Sequence, residues 1–89
     1  MPKLVRSKTF IKEFGKTRIS DSQWEKFLRY TTQLMDGEAL PAESKDHGLQ
    51  GNWQGHREFH LGGDLLVIYR TVSEAVELVR IGTHAQLFE

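Results

Sequence analysis

The pattern of apolar and polar positions predicts a short strand followed by a helix at the start of the chain. The segment KLVR is a candidate strand, and Ser7 can cap a helix. Phe10, Ile11 and Phe14 then share one helical face until Gly15 weakens the pattern. The first elements are therefore a strand and a short amphipathic helix.

A second, longer helix is predicted from a capping box that Ser20 and Gln23 can form. Apolar positions then keep helical spacing as far as Gly37, a natural stop. These positions are Trp24, Phe27, Leu28, Thr31, Leu34 and Met35. Because such a helix must bury one face, we expect this aromatic stripe to be core rather than a ligand site.

Three strands are predicted in the second half of the chain. Residues 38 to 55 are expected to form a loop, because they contain Pro41, three glycines and many polar residues. The segments GHREFHL, DLLVIYRTV and AVELVRIGT then follow with short connections, which indicates an antiparallel meander. The run LLVIY is apolar at odd and at even positions alike, as expected when both faces of a strand are sheltered. Thr83 can cap a last helical turn, HAQLF.

The connection between the first two strands of the meander contains Gly62 and Gly63. A two-residue turn would pair Leu61 with Asp64 and place His60 and Asp64 on opposite faces. A three-residue loop would instead oppose His60 to Asp64. Because Gly63 can adopt the left-handed conformation, we expect the longer loop, or at least an Asp64 at a strand end that can swing inward.

Length and composition limit the possible functions. A chain of 89 residues suits a single domain, 1–89, with one modest core, so an active site is expected on an open face. Because neither a membrane-spanning run nor a secretion signal is recognisable, we expect a cytoplasmic protein without membrane contact. The sequence contains no cysteine, which excludes disulfides, a thiolate nucleophile and a cysteine zinc site.

The net charge of zero conceals an asymmetry along the chain. Residues 1–29 contain eight Lys and Arg against three acids, whereas the remainder contains four against nine. A basic surface of this kind suits a polyanion such as RNA, although an ordinary solvated face is equally compatible. Lys8 and Lys12 lie one helical turn apart, where like charges repel unless an anion or solvent compensates them.

All four histidines lie in KDHGLQGNWQGHREFHLGGD and RIGTHAQLF. With the order strand, helix, helix, loop and three strands, these motifs resemble the RelE superfamily of bacterial toxins, and within it the YafQ-type messenger-RNA endoribonucleases. The resemblance covers nearly the whole chain and is strongest from Lys45 to Phe88. It implies an α+β, RelE-like fold, with a short N-terminal strand, two helices on one face of a small antiparallel sheet and a short C-terminal helical turn.

The resemblance also implies an activity: cleavage of ribosome-bound mRNA without a metal or other cofactor. The positions that match the catalytic pattern of the family are His47, His60, Asp64, Arg80 and His84, with Phe88 as the carboxy-terminal aromatic. One position departs from the pattern, since Leu65 stands where the family has Trp. A leucine offers no comparable stacking surface, so base placement or sequence preference is expected to differ.

The chemistry is consistent with these residue types on independent grounds. RNA supplies its own nucleophile, the 2′-OH, so a protein need only move protons and stabilise the phosphorane. We expect His84 to act as the general acid and either Asp64 or His60 as the base. Arg80 and His47 are expected to contact the phosphate, because a guanidinium fits two phosphate oxygens.

Simpler interpretations of the same residues remain open. Arg80 could pair with Glu58 or Glu77, and Phe88 could pack under the sheet. Histidine and aspartate also suit zinc, but the spacing H-x12-H-x3-D is not an established ligand pattern, so no metal is expected.

Two further residues of the motif are expected to play no catalytic part. Trp53 is assigned to packing. His56 matches no functional position of the family and is expected to be a surface strand residue.

The family resemblance implies three partners: a cognate antitoxin protein, the ribosome and mRNA. The RNA-binding residues are expected to include Lys8, Lys12 and Lys16, which would dock on ribosomal RNA, together with Phe88. Direct DNA binding by the toxin alone is not expected. Two alternatives stay open, a non-catalytic RNA- or ribosome-binding module and an antitoxin-binding module on the same scaffold.

Overall fold

The computed structural model describes residues 2–88 and begins with the predicted strand and helix. Strand β1 spans Lys3–Arg6 and helix α1 spans Lys8–Lys16. Ser7 caps α1, because its Oγ accepts a hydrogen bond from the backbone N–H of Phe10 at 2.9 Å. The same hydroxyl donates to the carbonyl oxygen of Val79 at 2.7 Å, so the cap also ties α1 to the sheet.

Helix α2 spans Asp21–Met35 and begins with the predicted capping box. The prediction that its whole apolar stripe is core is wrong at two positions, since Trp24 and Leu28 are exposed. Tyr30 is fully buried instead, edge-on to a phenylalanine of the sheet. The reason is that α1 and the sheet together cover only the flank of α2 that carries Phe27, Tyr30 and Thr31.

The predicted meander is confirmed as strands β3, β4 and β5. They span Arg57–Gly62, Leu65–Val72 and Ala75–Thr83, and helix α3, His84–Phe88, follows directly. A further strand, β2 at His47–Gly48, lies inside the segment predicted as loop and pairs antiparallel with β3. Two residues with no apolar alternation carry no strand signal, so this element depends on its partner strand.

The sheet has the order β1-β5-β4-β3-β2, with β1 parallel to β5 and the other neighbours antiparallel. The expected α+β architecture is therefore confirmed. Helices α1 and α2 cover one face, where Leu65, Val67 and Tyr69 of β4 are buried. Leu66 and Ile68 of β4 are buried on the opposite face, so the strand is sheltered on both sides, as its sequence predicted.

The turn between β3 and β4 differs from the three-residue loop that was predicted. Gly62 pairs with Leu65 and His60 pairs with Leu66, with a register shift at the residue between His60 and Gly62. His60 therefore does not oppose Asp64, which lies in the turn itself. Gly62 and Gly63 have φ angles of 112° and 59°, which L side chains rarely adopt, so the glycines permit a tighter turn than expected.

Among residues 2–88 the longest helix has 15 residues. No helix in this part of the chain is long and apolar enough to cross a membrane.

Candidate active site

Three histidines form a row on the face of the sheet opposite α1 and α2. His47 comes from β2, His60 from β3 and His84 from the start of α3. The ring centroids of His47 and His60 are 6.4 Å apart, and those of His60 and His84 are 6.0 Å apart. The three imidazoles that were predicted to act together are therefore neighbours in space, although 37 positions separate the first from the last.

Glu58 joins two members of this row. Its Oε2 atom lies 3.2 Å from Nε2 of His60 and 3.3 Å from Nε2 of His47. The Glu58 side chain is only 3% exposed, and its Oε1 atom is buried without a hydrogen-bond partner in the part of the chain described. Since burying an unsatisfied polar group costs about 1–3 kcal/mol, this carboxylate is placed at the expense of stability.

The contacts of His60 and His47 define which ring nitrogens remain available. Nε2 of His60 faces the Glu58 carboxylate and therefore carries the proton, which leaves Nδ1 of the neutral ring as an acceptor. In His47 it is Nδ1 that contacts a backbone carbonyl, that of Lys45, at 2.7 Å. His60 can thus accept a proton from a ligand. In His47 both ring nitrogens face oxygen acceptors, so only the imidazolium form can donate from Nε2 as well as from Nδ1.

Asp64 and His84 form a second carboxylate–imidazole pair. Oδ1 of Asp64 lies 3.4 Å from Nδ1 of His84, and both side chains are more than half exposed. Asp64 reaches this position because the turn it occupies projects beside the start of α3. With Nδ1 directed at the carboxylate, Nε2 of His84 is the nitrogen that faces a ligand.

Thr83 caps helix α3, as predicted, and Gln86 completes a capping box that was not predicted. The N–H of Gln86 donates to Oγ1 of Thr83 at 3.2 Å, and the N–H of Thr83 donates to Oε1 of Gln86 at 2.9 Å. The helix buries Leu87 against Leu66 and Ile68. This packing holds His84 at the first position of the helix, next to the sheet.

The carboxy-terminal aromatic lies at the end of the histidine row. The Phe88 ring is 5.5 Å from that of His84 and packs edge-on to Trp53 at 6.4 Å, and Phe88 remains 39% exposed. Trp53 packs against the buried cluster of Leu66, Ile68 and Leu87, in agreement with its assignment to packing. His56 is not the surface residue that was expected, because it is half-buried and lies edge-on to Trp53.

Arg80 forms an ion pair with Glu13 of α1. Its Nε lies 3.1 Å from both carboxylate oxygens of Glu13, and Nη2 also donates to Oε2. This hydrogen bonding raises the pKa of the Arg80 guanidinium above its usual value, against a smaller opposing effect of burial. The partner is thus neither Glu58 nor Glu77, both of which were considered. Among residues 2–88, Nη1 of Arg80 makes no hydrogen bond to protein.

Strand β2, which carries His47, is anchored by the residue before it. Oδ1 of Asp46 accepts hydrogen bonds from the Tyr69 hydroxyl at 2.7 Å and from Nε of Arg57 at 3.1 Å. Burial raises the pKa of the Tyr69 hydroxyl, and the hydrogen bond to Asp46 raises it further. Tyr69 therefore remains a neutral donor, and the segment before His47 is tied to the core of the sheet.

The three lysines proposed to bind RNA are exposed along one helix. Lys8, Lys12 and Lys16 stand at four-residue intervals on α1, which places them on one face. None of the three forms an ion pair with a carboxylate among residues 2–88. The unpaired charges are available to an anionic partner.

In the described part of the chain, no group of three His, Asp or Glu side chains is arranged to hold a metal ion.

Sequence reasoning missed two residues that shape the site. Glu58 carried a usable signal, because E-x-H in a strand places the carboxylate and His60 on one face. Glu13 carried none, since it lies 67 positions from Arg80. No motif or regular spacing in the sequence links Glu13 with Arg80.

Comparison with known proteins shows which family the chain resembles. The protein-family model described as "Bacterial toxin of type II toxin-antitoxin system, YafQ" matches residues 2–89. The mRNA interferase toxin YafQ of Escherichia coli K12 is 41% identical over 63 residues, which are 68% of each chain. A putative toxin YafQ of Haemophilus influenzae is 32% identical over 65 residues, 68% of this chain and 64% of that one.

Solved structures agree over the full length. YafQ from E. coli BL21(DE3) superposes with a TM-score of 0.84 at 32% identity and 100% coverage of both chains. The toxin in the E. coli DinJ–YafQ complex gives a TM-score of 0.82 at 33% identity, again with 100% coverage of both chains. A copper-bound mutant toxin from Helicobacter pylori gives 0.87 at 32% identity, covering 99% of this chain and 100% of that one. The resemblance identified from the sequence motifs is confirmed, and the chain belongs to the YafQ family of bacterial toxins of type II toxin-antitoxin systems.

Proposed function

We propose that this toxin is an mRNA interferase, an endoribonuclease that cleaves mRNA by attack of the RNA's own 2′-OH. Its relative in E. coli carries that name. The observation that carries the proposal is the presence of two carboxylate–imidazole pairs, Glu58–His60 and Asp64–His84, whose rings stand 6.0 Å apart. One pair can remove a proton and the other can supply one.

His60 is the general base in this mechanism. Its Nδ1 accepts the proton of the 2′-OH, and the oxygen attacks the adjacent phosphorus. Glu58 contacts the opposite nitrogen, where it orients the ring and stabilises the imidazolium that forms. Glu58 therefore acts as a positioning residue. Of the two bases considered from the sequence, His60 is favoured because Asp64 is engaged with His84.

His84 is the general acid. As the bond from phosphorus to the 5′-oxygen breaks, Nε2 of His84 donates a proton to the departing oxygen. Asp64 holds Nδ1 of the same ring and compensates its charge. The products are a 2′,3′-cyclic phosphate on one fragment and a free 5′-hydroxyl on the other, and no metal takes part.

The pentacovalent phosphorane carries extra negative charge that the site must stabilise. As an imidazolium, His47 can donate from Nε2 to one phosphate oxygen by exchanging its 3.3 Å contact with Glu58, while Nδ1 keeps the carbonyl of Lys45. Arg80 can contribute through Nη1 while Glu13 retains Nε and Nη2. Phe88, exposed beside His84, provides an aromatic face for a base.

In the proposed mechanism the ribosome aligns the mRNA with the site. The site is open, and the free lysines of α1 suit contact with ribosomal RNA phosphates. The reaction then takes place in the cytoplasm, where translation occurs. Between periods of activity the toxin is held by a cognate antitoxin, as the E. coli YafQ in the DinJ–YafQ structure is bound to DinJ.

Induced expression of the toxin without antitoxin tests the proposal directly. Mapping of mRNA 5′ ends should show new ends inside coding regions, and the upstream fragments should end in a 2′,3′-cyclic or 3′-phosphate. Cleavage by the purified toxin on ribosomes should persist in EDTA. Intact mRNA with arrested growth would support the non-catalytic alternative, and loss of activity in EDTA with recovery in zinc would overturn the metal-free mechanism.

A further inference from the structure

A cleft of about 560 Å³ lies on the α1 and α2 side of the sheet, opposite the histidine row, and meets the proposed site at Asp64. It is bounded by the end of α1, the segment that joins α1 to α2, the β3–β4 turn and the start of α3. Its volume falls within the range of about 300–1,000 Å³ that is typical of small-molecule sites. The cleft is therefore large enough for one nucleotide.

The cleft shares a wall with the candidate active site. Asp64 lines it, and so does Thr83, the residue directly before His84. Asp64 also contacts the His84 ring at 3.4 Å. A chain whose scissile phosphate lies at His84 therefore enters the cleft by passing Asp64 and Thr83 at the end of the sheet.

Besides the carboxylates of Glu13 and Asp64, which pair with Arg80 and His84, the lining has three chemical parts. Leu65 and Ile81 supply an apolar floor, and both are almost fully buried. Lys16 and Arg18 stand at the rim, exposed and without an ion pair among residues 2–88. Gln86 adds an amide, whose oxygen is used by the α3 cap and whose Nε2 is free to donate. The apolar surface suits the face of a base, and the two cations suit a phosphate. The amide suits the polar edge of the base.

We propose that this cleft is a subsite for the nucleotide next to the scissile phosphate, and that it contributes to the sequence preference of cleavage. Lys16 and Arg18 bind the flanking phosphate, and Gln86 reads the polar edge of the base that lies on Leu65 and Ile81. The inference rests on the proposed endoribonuclease function, since it takes the strand through the cleft to be the substrate.

The binding test uses the full-length toxin and an RNA hexamer whose 2′-hydroxyls are all methylated, so that it cannot be cleaved. In an NMR titration the amides of residues 16–18 and 83–86 should shift together with those near His60. Lys16→Gln/Arg18→Gln should weaken hexamer binding about tenfold and lower the slope of log affinity against log salt by about 0.7 for each phosphate that is no longer neutralised. A titration that spares the cleft, or one in which a nucleoside monophosphate fills the cleft while the hexamer does not, would overturn the proposal.

The specificity test maps cleavage sites on ribosome-bound mRNA with two matched charge variants. Because Lys16 also belongs to the lysines assigned to the ribosome, Arg18→Gln is used alone and should redistribute cleavage among sites. Lys12→Gln, with the same decrease in charge, should lower cleavage at all sites in parallel. Gln86→Glu keeps the oxygen that caps α3 but places a negative charge in the cleft, and it should also redistribute cleavage. An unchanged distribution in both cleft variants would refute the subsite. If the unmodified toxin cut no mRNA, the proposed function would fail, and the hexamer titration would still decide the cleft.

Discussion

At the scale of single residues, each catalytic imidazole of the proposed site is paired with a carboxylate that determines which nitrogen faces the substrate. Glu58 holds Nε2 of His60, and Asp64 holds Nδ1 of His84. The two carboxylates differ in environment, because Glu58 is buried and Asp64 is largely exposed. A buried partner restricts its imidazole more tightly, which suits a base that must be aligned with a particular hydroxyl.

His84→Gln should fold normally, still bind antitoxin and ribosomes, and lose most single-turnover cleavage. Removal of a general acid typically lowers the rate by about 10²–10⁴ fold, because the departing oxygen is no longer protonated. Single-turnover assays on ribosome-bound mRNA measure this, and the wild-type rate should follow a bell-shaped pH profile. His56→Gln is the matched control, since it removes an imidazole outside the row. A wild-type rate in His84→Gln would show that the acid is another group.

Glu58→Gln should lower cleavage by about 10- to 1,000-fold while stability stays constant or rises. Stability is expected to hold because the substitution removes a buried charge whose Oε1 has no partner in the described chain. The loss should fall on the single-turnover rate and not on RNA binding, because Glu58 orients the His60 ring and is not expected to contact the RNA. Glu77→Gln, in a carboxylate that pairs with Arg70 instead, is the control. Equal decreases in RNA binding and in cleavage rate would indicate a purely structural role for Glu58.

At the scale of secondary-structure elements, the site depends on how short segments are attached to the sheet. Helix α1 is fastened to β5 through Glu13, which binds Arg80 and accepts a hydrogen bond from the N–H of Ile81 at 3.2 Å. Strand β2 has only two residues, and Asp46 fixes it to Tyr69. Each catalytic element is thus short but tied to a buried strand.

The Glu13–Arg80 ion pair separates the structural role of Arg80 from its proposed catalytic role. Glu13→Gln and Arg80→Gln both break the ion pair, and each should lower the free energy of unfolding by about 1–3 kcal/mol. Arg80→Gln should reduce cleavage at least about tenfold more than Glu13→Gln does, because only Arg80 is expected to contact the phosphate. Urea unfolding and single-turnover cleavage measure the two effects. Equal decreases in cleavage in both variants would assign Arg80 to structure alone.

At the scale of the whole molecule, the basic side chains and the proposed catalytic residues lie on different elements. The histidine row occupies one face of the sheet, whereas the free lysines line α1, which packs on the opposite face. Such a division is consistent with the proposal that the basic helix docks on the ribosome, because the proposed site then remains accessible to mRNA. It also gives a protein with no net charge a surface that suits a polyanion.

Removal of the helix charges should weaken ribosome association without altering the chemistry of the site. Lys8→Gln/Lys12→Gln should reduce the slope of log affinity against log salt by about 0.7–0.9 for each phosphate that the helix no longer neutralises. Association is measured by sedimentation with ribosomes over a salt series. Arg70→Gln removes a positive charge outside the basic third and should leave the slope unchanged. An identical slope in Lys8→Gln/Lys12→Gln would exclude docking through this helix.

The sequence by itself determined the elements whose signals are local. Ser7, the capping box at Ser20 and the alternation in the meander each involve residues a few positions apart, where hydrogen bonding and periodicity act directly. The family motifs likewise identified the members of the histidine row. Hydrogen bonding and periodicity within short segments, together with recognisable motifs, were sufficient to predict the fold class and these candidate residues.

The tertiary structure alone decided which carboxylate Arg80 meets. Glu13 binds Arg80 across 67 positions, a pairing that depends on how α1 docks against β5. The register of the β3–β4 turn and the existence of β2 also depend on pairing between strands, which a single segment does not encode. The cleft at Asp64 arises where four separate segments meet. Contacts between distant residues follow from packing of the entire chain, so neither composition nor spacing predicts them.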